Sequence, residues 1–302
     1  MIVVKDVSKW YGSTRALGGV SFRIMRGEIV GFLGPNGAGK STMMRILTTY
    51  LRPDVGEVRV CDLDVEESPL EVRRRVGYLP EMNPLYEEMR VDSFLRFIGR
   101  ARGLRGSFLR TRLEEVVEGC GLGEKFRKPI YTLSKGFRQR VGLAQAMIHQ
   151  PDVLILDEPT SGLDPNQILE IRRLIRQMGE ERTVLLSTHI LQEVQAVCDR
   201  VLIIHRGEIV ADDLLVRLQE REESRFTLVV RGQRQEVERV FGSFSPQVEA
   251  SSEGEGVWRV ELVGGIDGEG VFDLLQGSSL KVREFRRDRR TLEDIFRDLT
   301  RD

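Results

Sequence analysis

Cysteine is scarce: the 302 residues contain three, Cys61, Cys120 and Cys198. They are far apart and odd in number, so they form neither a disulfide framework nor a metal-binding pattern, which fits a reducing cytosol. Long apolar runs are missing as well. None approaches the roughly 20 residues needed to span a bilayer, and Met1–Asp6 lacks the basic-then-apolar layout of a signal peptide. An excess of either charge is also absent. Lys and Arg number 46 against 47 Asp and Glu, a formal net charge of −1, so the total gives no reason to expect a nucleic-acid partner. The arginine groups 73–75, 286–287 and 289–290 are interleaved with acids and read as solvated faces. What remains is a soluble globular profile, 40% apolar and 31% charged, long enough for one large domain and a smaller one.

One stretch organises the rest. Residues 34–42 read Gly-Pro-Asn-Gly-Ala-Gly-Lys-Ser-Thr, preceded by the apolar Glu28–Leu33 and followed by Met43–Leu47, which continues as a helix. Strand, glycine-rich loop, Lys-Ser and helix form the setting in which this pattern marks a phosphate-binding loop. Glycines let successive N–H groups point inward, and the helix N-terminus adds partial positive charge. Asn36, Gly37, Ala38, Gly39, Lys40, Ser41 and Thr42 are therefore candidate nucleotide-binding residues. In this pattern Lys40 reaches the β- and γ-phosphates and the Ser41 hydroxyl ligates Mg²⁺. The loop alone says nucleoside triphosphate and no more, because kinases, GTPases and ATPases share it.

Ile2–Val7, Leu17–Ile24 and Glu28–Leu33 read as strands, with Tyr11 in a turn spanning 9–13. A turn at 52–57 leads into the strand Val58–Val60, and Val76–Glu81 is a short strand running into a loop. Residues from about 84 to 149 take a 3.6-residue period and predict a helical insert. It closes on Leu133–Arg140, where Ser134 is placed to cap a helix. Pro151–Glu158 is the clearest buried strand, followed by a helix over Ile168–Met178 and a second apolar strand, Thr183–His189. This alternation predicts a parallel sheet with helices on both faces. The pattern breaks near Asp212, and Leu214–Arg225 is a charged, helix-like linker. Strands at Phe226–Val230, Val257–Leu262 and Leu280–Phe285, with helices at Glu236–Phe241, Gly270–Leu275 and Thr291–Phe296, predict a small α+β domain over 213–302 without a catalytic constellation.

Asp157 and Glu158 stand at a strand's carboxyl end, where open α/β sheets place their chemistry. An acid there can hold Mg²⁺, and a second beside it can polarise a water for attack on a γ-phosphate. Two adjacent carboxylates repel unless a cation sits near them. His189, closing the next strand, is placed to bond the γ-phosphate or the attacking water.

Together these residues resemble the nucleotide-binding subunits of ATP-binding-cassette (ABC) transporters over positions 1 to about 212. Residues 34–42 match the family's Walker A, and Val153–Glu158 its Walker B, with Glu158 at the position of the catalytic base. Ser161-Gly162-Leu163-Asp164 resembles the D-loop, His189 the switch histidine, and Tyr11 the aromatic that stacks on adenine. Leu133–Phe137 stands where the family carries its LSGGQ signature. The resemblance implies a P-loop ABC ATPase domain over 1–212, a mixed α/β sheet with helices on both faces and an inserted helical subdomain. It also implies ATP and Mg²⁺ as ligands, and Ser134, Lys135 and Gly136 acting on ATP held by a second ATPase subunit in a homodimer. The expected place is the inner face of the cell membrane, in the cytoplasm, held by an integral permease subunit.

Two departures stand out. The signature reads Leu-Ser-Lys-Gly-Phe, with Gln139 two residues past the usual glutamine and a Lys135 expected to face solvent. Glu81 replaces the Q-loop glutamine, and its carboxylate can still bind Mg²⁺ beside Asp157. The Lys-Gly-Phe-Arg-Gln-Arg run, Tyr78-Leu79-Pro80-Glu81 and the ending Leu292–Phe296 are similar to the type-2 exporter branch, gliding-motility ATPases included. The competing class, soluble ABC proteins acting on ribosomes or DNA, commonly carries two cassettes or a coiled-coil insertion, and this sequence has neither.

Overall fold

The computed structural model describes residues 1–220, 225–242, 251–254, 256–263, 268–288 and 292–300. The chain divides into two compact units, Met1–Leu215 and Val216–Asp302.

The first unit opens with a hairpin of β1 (Ile2–Tyr11) and β2 (Thr14–Ile24), then β3 (Ile29–Leu33) and α1 (Lys40–Leu47). A second small hairpin, β4 (Val55–Val60) and β5 (Leu63–Asp64), leads to α2 (Pro69–Arg75) and β6 (Val76–Leu79). The helical insert holds α3 (Val91–Ala101), α4 (Gly106–Gly119) and α5 (Lys135–Met147). After it come β7 (Val153–Asp157), α6 (Pro165–Gly179), β8 (Thr183–Thr188), α7 (Leu191–Val197), β9 (Arg200–His205) and β10 (Glu208–Leu214); α8 (Leu215–Glu220) starts at the unit's last residue and runs into the second unit.

The parallel sheet predicted from the alternation with helices is present as part of a mixed sheet, and a separate antiparallel sheet stands beside it. The antiparallel sheet runs β2-β1-β4-β5, and the six-stranded sheet β10-β9-β3-β8-β7-β6. In the latter only β10 is antiparallel. The reason lies in the connections: β1 and β2 are joined by two residues, which permits only a hairpin, whereas parallel neighbours need a crossover. Tyr11 consequently ends β1, opposite Thr14, instead of lying in the turn; Gly12, at φ 59°, supplies the reversal. Val153–Asp157 and Thr183–Thr188 are buried along their whole length, as strands covered on both faces are. Phe32, Met43, Met44 and Ile155 fill the core between the two sheets and α1.

The second unit is a β-α-β-β-α-β arrangement: β11 (Arg225–Arg231), α9 (Arg234–Phe241), β12 (Ser251–Gly254), β13 (Val257–Val263), α10 (Gly268–Gln276) and β14 (Lys281–Asp288), closed by α11 (Leu292–Leu299). Its strand order is β12-β13-β11-β14, antiparallel throughout, the order of a split βαβ sandwich. Phe226, Leu228 and Val230 alternate along β11 and pack with Val237 and Phe241 of α9. Residues 221–224 of the charged linker, Arg289, Arg290 and Thr291 lie outside the described residues.

Candidate active site

The loop between β3 and α1 is set by one backbone requirement. Gly39 precedes α1 at φ 106°, and a Cβ there would sit 2.6 Å from the Ala16 carbonyl oxygen and 2.8 Å from Leu17 Cδ2. Only glycine fits both the dihedral and the space. No side chain caps α1, so its first N–H groups remain available to an anion. Lys40, 6% exposed, donates to the carbonyls of Gly34 (2.8 Å) and Pro35 (3.2 Å). Its Nζ also lies 3.5 Å from Glu158 Oε1. The ammonium thus makes two hydrogen bonds to loop carbonyls and one ion pair across the cleft.

The two acids at the end of β7 are handled differently. Asp157, 2% exposed, faces Ser187 across the sheet and accepts a hydrogen bond from its hydroxyl. Glu158 adopts φ 49°, a left-handed conformation that costs a non-glycine residue on the order of 1–3 kcal/mol. The surroundings fix it there: its N–H donates to the Ser187 carbonyl (3.0 Å) and its carbonyl accepts from the Ser161 N–H (3.1 Å). The sharp bend sends the two carboxylates to different partners, so their mutual repulsion is relieved. Glu158 sits between Lys40 and His189, whose Nδ1 lies 2.9 Å from Oε2.

A cleft of about 470 Å³ gathers most of the residues expected from the sequence. The loop supplies Asn36, Gly37, Gly39, Lys40, Ser41 and Thr42, while Glu81, Glu158 and His189 come from the ends of β6, β7 and β8. Ala38 is not among them: its side chain is buried in the core, and its carbonyl accepts from the Gly207 N–H (3.1 Å). Asp157, though next to Glu158, is not in the lining either. Tyr11, 48% exposed, stands on the hairpin whose Ala16 does line it. Ser161 also lines it and was legible only as part of a longer motif.

Ser134, Lys135 and Gly136 are not in the lining. Ser134 caps α5 by accepting from the Phe137 N–H (3.4 Å), as its sequence position predicts. Gly136 packs on Gln167, whose Cδ would lie 2.8 Å from an added Cβ. Lys135 is exposed, with its ammonium over Gly162 of the Ser161–Asp164 loop. Gln139 is buried within α5 and is not offered at the surface. Phe137, at the usual glutamine position, is half-buried, with Lys125 Nζ and Arg140 Cζ each 5.3 Å from its ring centre. Tyr78, on β6 before Glu81, has its phenol pushed up to about 12 by burial and then by the Asp157 charge, so it stays protonated.

Sequence reasoning missed Ser187, whose hydroxyl donates to Asp157 and whose carbonyl accepts the Glu158 N–H, and the buried pair Thr160 and Glu193, which bond to each other. Ser187 signals itself only once β7 and β8 are known to be neighbours.

Comparison with known proteins agrees with this geometry. Residues 17–161 match the ABC transporter family. The chain is 38% identical over 230 residues to the ABC transporter ATP-binding protein NatA of Bacillus subtilis (strain 168), covering 74% of this chain and 94% of NatA. It is 40% identical over 212 residues to the daunorubicin resistance ATP-binding protein DrrA3 of Streptomyces coeruleorubidus, covering 70% and 67%. The dimeric structure of MJ0796, a bacterial ABC transporter cassette, superposes with a TM-score of 0.65 at 26% identity, covering 71% and 99%.

Proposed function

The chain belongs to the ABC transporter family as an ATP-binding subunit of the exporter type, and from that premise we propose how its site uses ATP. The observation that carries the proposal is Glu158, its two oxygens held between Lys40 (3.5 Å) and His189 (2.9 Å) at the cleft. Glu158 is the general base that takes a proton from the attacking water. His189 bonds that water or the γ-phosphate, and Lys40 leaves its carbonyl partners for the β- and γ-phosphates. Asn36 to Thr42 and the α1 N-terminus cradle the phosphates, and Tyr11 stacks on the adenine.

Mg²⁺ fits the donor set present. Ser41, Asp157 and Glu81 offer hard oxygen ligands. No group of three or more His, Cys, Asp or Glu side chains is placed to hold a metal ion among the described residues, which suits an ion completed by phosphate and water rather than a protein cage. When bound, it would neutralise charge on the phosphates.

Ser134, Lys135 and Gly136 act on ATP held by a second copy. Each chain carries one phosphate loop and one signature, and the relative MJ0796 is seen as a dimer. ATP contacting both copies favours the closed pair, and loss of the γ-phosphate lets it open, a population shift. No helix among the described residues is long and apolar enough to cross a membrane, so the motion is passed to a separate integral permease from the cytoplasmic face. The unit beyond Leu215 serves pairing or regulation; truncation after Leu215 tests this, since a loss of pairing marks the first role and an altered ATPase rate alone the second.

Glu158→Gln checks the central assignment. This variant is expected to bind ATP, to dimerise when ATP is added, and to hydrolyse it on the order of 10²–10⁴-fold more slowly. Turnover at the wild-type rate removes Glu158 as the base.

A further inference from the structure

We propose that Glu193, which contacts no part of the cleft, is the positioning residue that keeps Glu158 and His189 in reacting register. The proposal rests on the reading of Glu158 as the base and extends it to what holds the base in place. Glu193 lies on α7 and is 1% exposed. One of its carboxylate oxygens accepts from the Thr160 hydroxyl, and the other from the Thr188 hydroxyl at 2.7 Å. Thr160 follows Glu158 by two residues and Thr188 directly precedes His189. Both threonines are buried, at 3% and 0% exposure. One carboxylate therefore ties together the two chain segments that present the base and the histidine.

The chemistry of the group supports a clamp over simple packing. A buried carboxylate is costly unless it is paired or hydrogen-bonded, and among the described residues no Lys, Arg or His lies within ion-pair distance of Glu193. Its charge is held by the two hydroxyls. Thr188 Oγ1 also accepts the Ile190 N–H (3.0 Å), which directs its own proton to Glu193. A carboxylate accepts from both threonines at once, whereas an amide offers one acceptor oxygen and an NH₂ that must donate. The Thr188 carbonyl further accepts the Gly34 N–H (3.3 Å), so the same strand end also braces the phosphate loop. Across the clamp, Glu158 is held in its left-handed conformation 2.9 Å from His189.

Steady-state ATPase measurements on the full chain test this. Glu193→Ala is expected to lower kcat by about 10- to 100-fold, the scale of a misplacement of about 1 Å, while KM for ATP stays within about twofold. Glu193→Gln falls between Glu193→Ala and wild type. Because the effect runs through His189, Glu193→Ala added to His189→Ala lowers kcat no more than about twofold further. If Glu193→Ala does not fold, Thr160→Val and Thr188→Val carry the same test, since each removes one hydroxyl at constant volume and should lower kcat with KM unchanged. Wild-type kcat in the folded variants, a raised KM with kcat unchanged, or fully multiplicative losses in the double variant each overturn the clamp. None of these touches the base assignment, which Glu158→Gln decides on its own.

Discussion

The two halves of the proposed ATP machinery are built in opposite ways. On the cleft side Lys40, Asp157 and Glu158 are buried and each has partners within the chain: Lys40 two carbonyls and Glu158, Asp157 the Ser187 hydroxyl, Glu158 also the more exposed His189. On the signature side, Ser134 and Lys135 stand exposed at the start of α5, and the Ser134 hydroxyl serves the helix cap. A group satisfied within its own chain is set for its task before any partner arrives. Exposure of this kind is what the proposed contact of Ser134 and Lys135 with ATP on a second copy requires. On the proposed reading, the site is preorganised in one half and is completed by a second copy in the other.

The largest expected effect breaks this comparison directly. Lys40→Ala and Ser134→Ala should each be nearly inactive alone, with ATPase rates down on the order of 10²–10³-fold for the loss of a phosphate-stabilising group. Mixed in equal amounts, they should recover about a quarter of the wild-type rate, because half of the pairs then hold one intact composite site and one doubly damaged. No recovery on mixing would place Ser134 on the same chain as the ATP it serves.

A smaller effect concerns the far end of α5. There His149 follows the helix, and its Nε2 lies 3.0 Å from the Val76 carbonyl oxygen. Burial, then the Arg102 charge, push its pKa down from 6.5 to about 4. The folded state thus prefers the neutral ring. Its contribution is complete above about pH 6.5 and is lost as pH falls towards 4, an effect of about 2–3 kcal/mol. Urea unfolding from pH 7 to 4 should show that decline, and His149→Gln should flatten it. The smallest effect is at Lys135. Lys135→Gly, restoring the residue usual in the signature, should alter stability by no more than about 0.5 kcal/mol, read from the urea midpoint; a larger change would show that the contact over Gly162 matters.

The phosphate loop and the strand ending in Asp157 and Glu158 were legible because their signals are local: glycine spacing, an unbroken apolar run, then acids. The hairpin of β9 and β10 was not, although Val201–Ile204 is buried. Its turn is Arg206-Gly207, both at positive φ, instead of the Asn-Gly or Asp-Gly pair that announces such a turn. The helix α2 went unseen because only Val72 is buried on it, leaving no apolar period to read. Glu193 carried no signal at all. An acid on a short helix reads as surface, and its burial is decided by Thr160 and Thr188, far from it in pattern though close in space. The left-handed bend at Glu158 was equally hidden, since nothing in Asp-Glu-Pro-Thr announces it.

The Ala16 carbonyl has a consequence for how nucleotide arrives and leaves. It is packed so closely against Gly39 and Gly207 that a Cβ on either would lie 2.6 or 2.7 Å from it. Around it, the Gly18 N–H donates to the Gly207 carbonyl (2.9 Å) and the Gly207 N–H to the Ala38 carbonyl (3.1 Å). The phosphate loop is thus sewn to both sheets through main-chain atoms alone, and these seams need no nucleotide. Amide protons at Gly18 and Gly207 should exchange with solvent equally slowly in the empty and the loaded protein. Equal exchange rates would mark the proposed receptor for the phosphates as a fixed mould, with turnover of nucleotide timed by ligand departure and not by refolding of the loop.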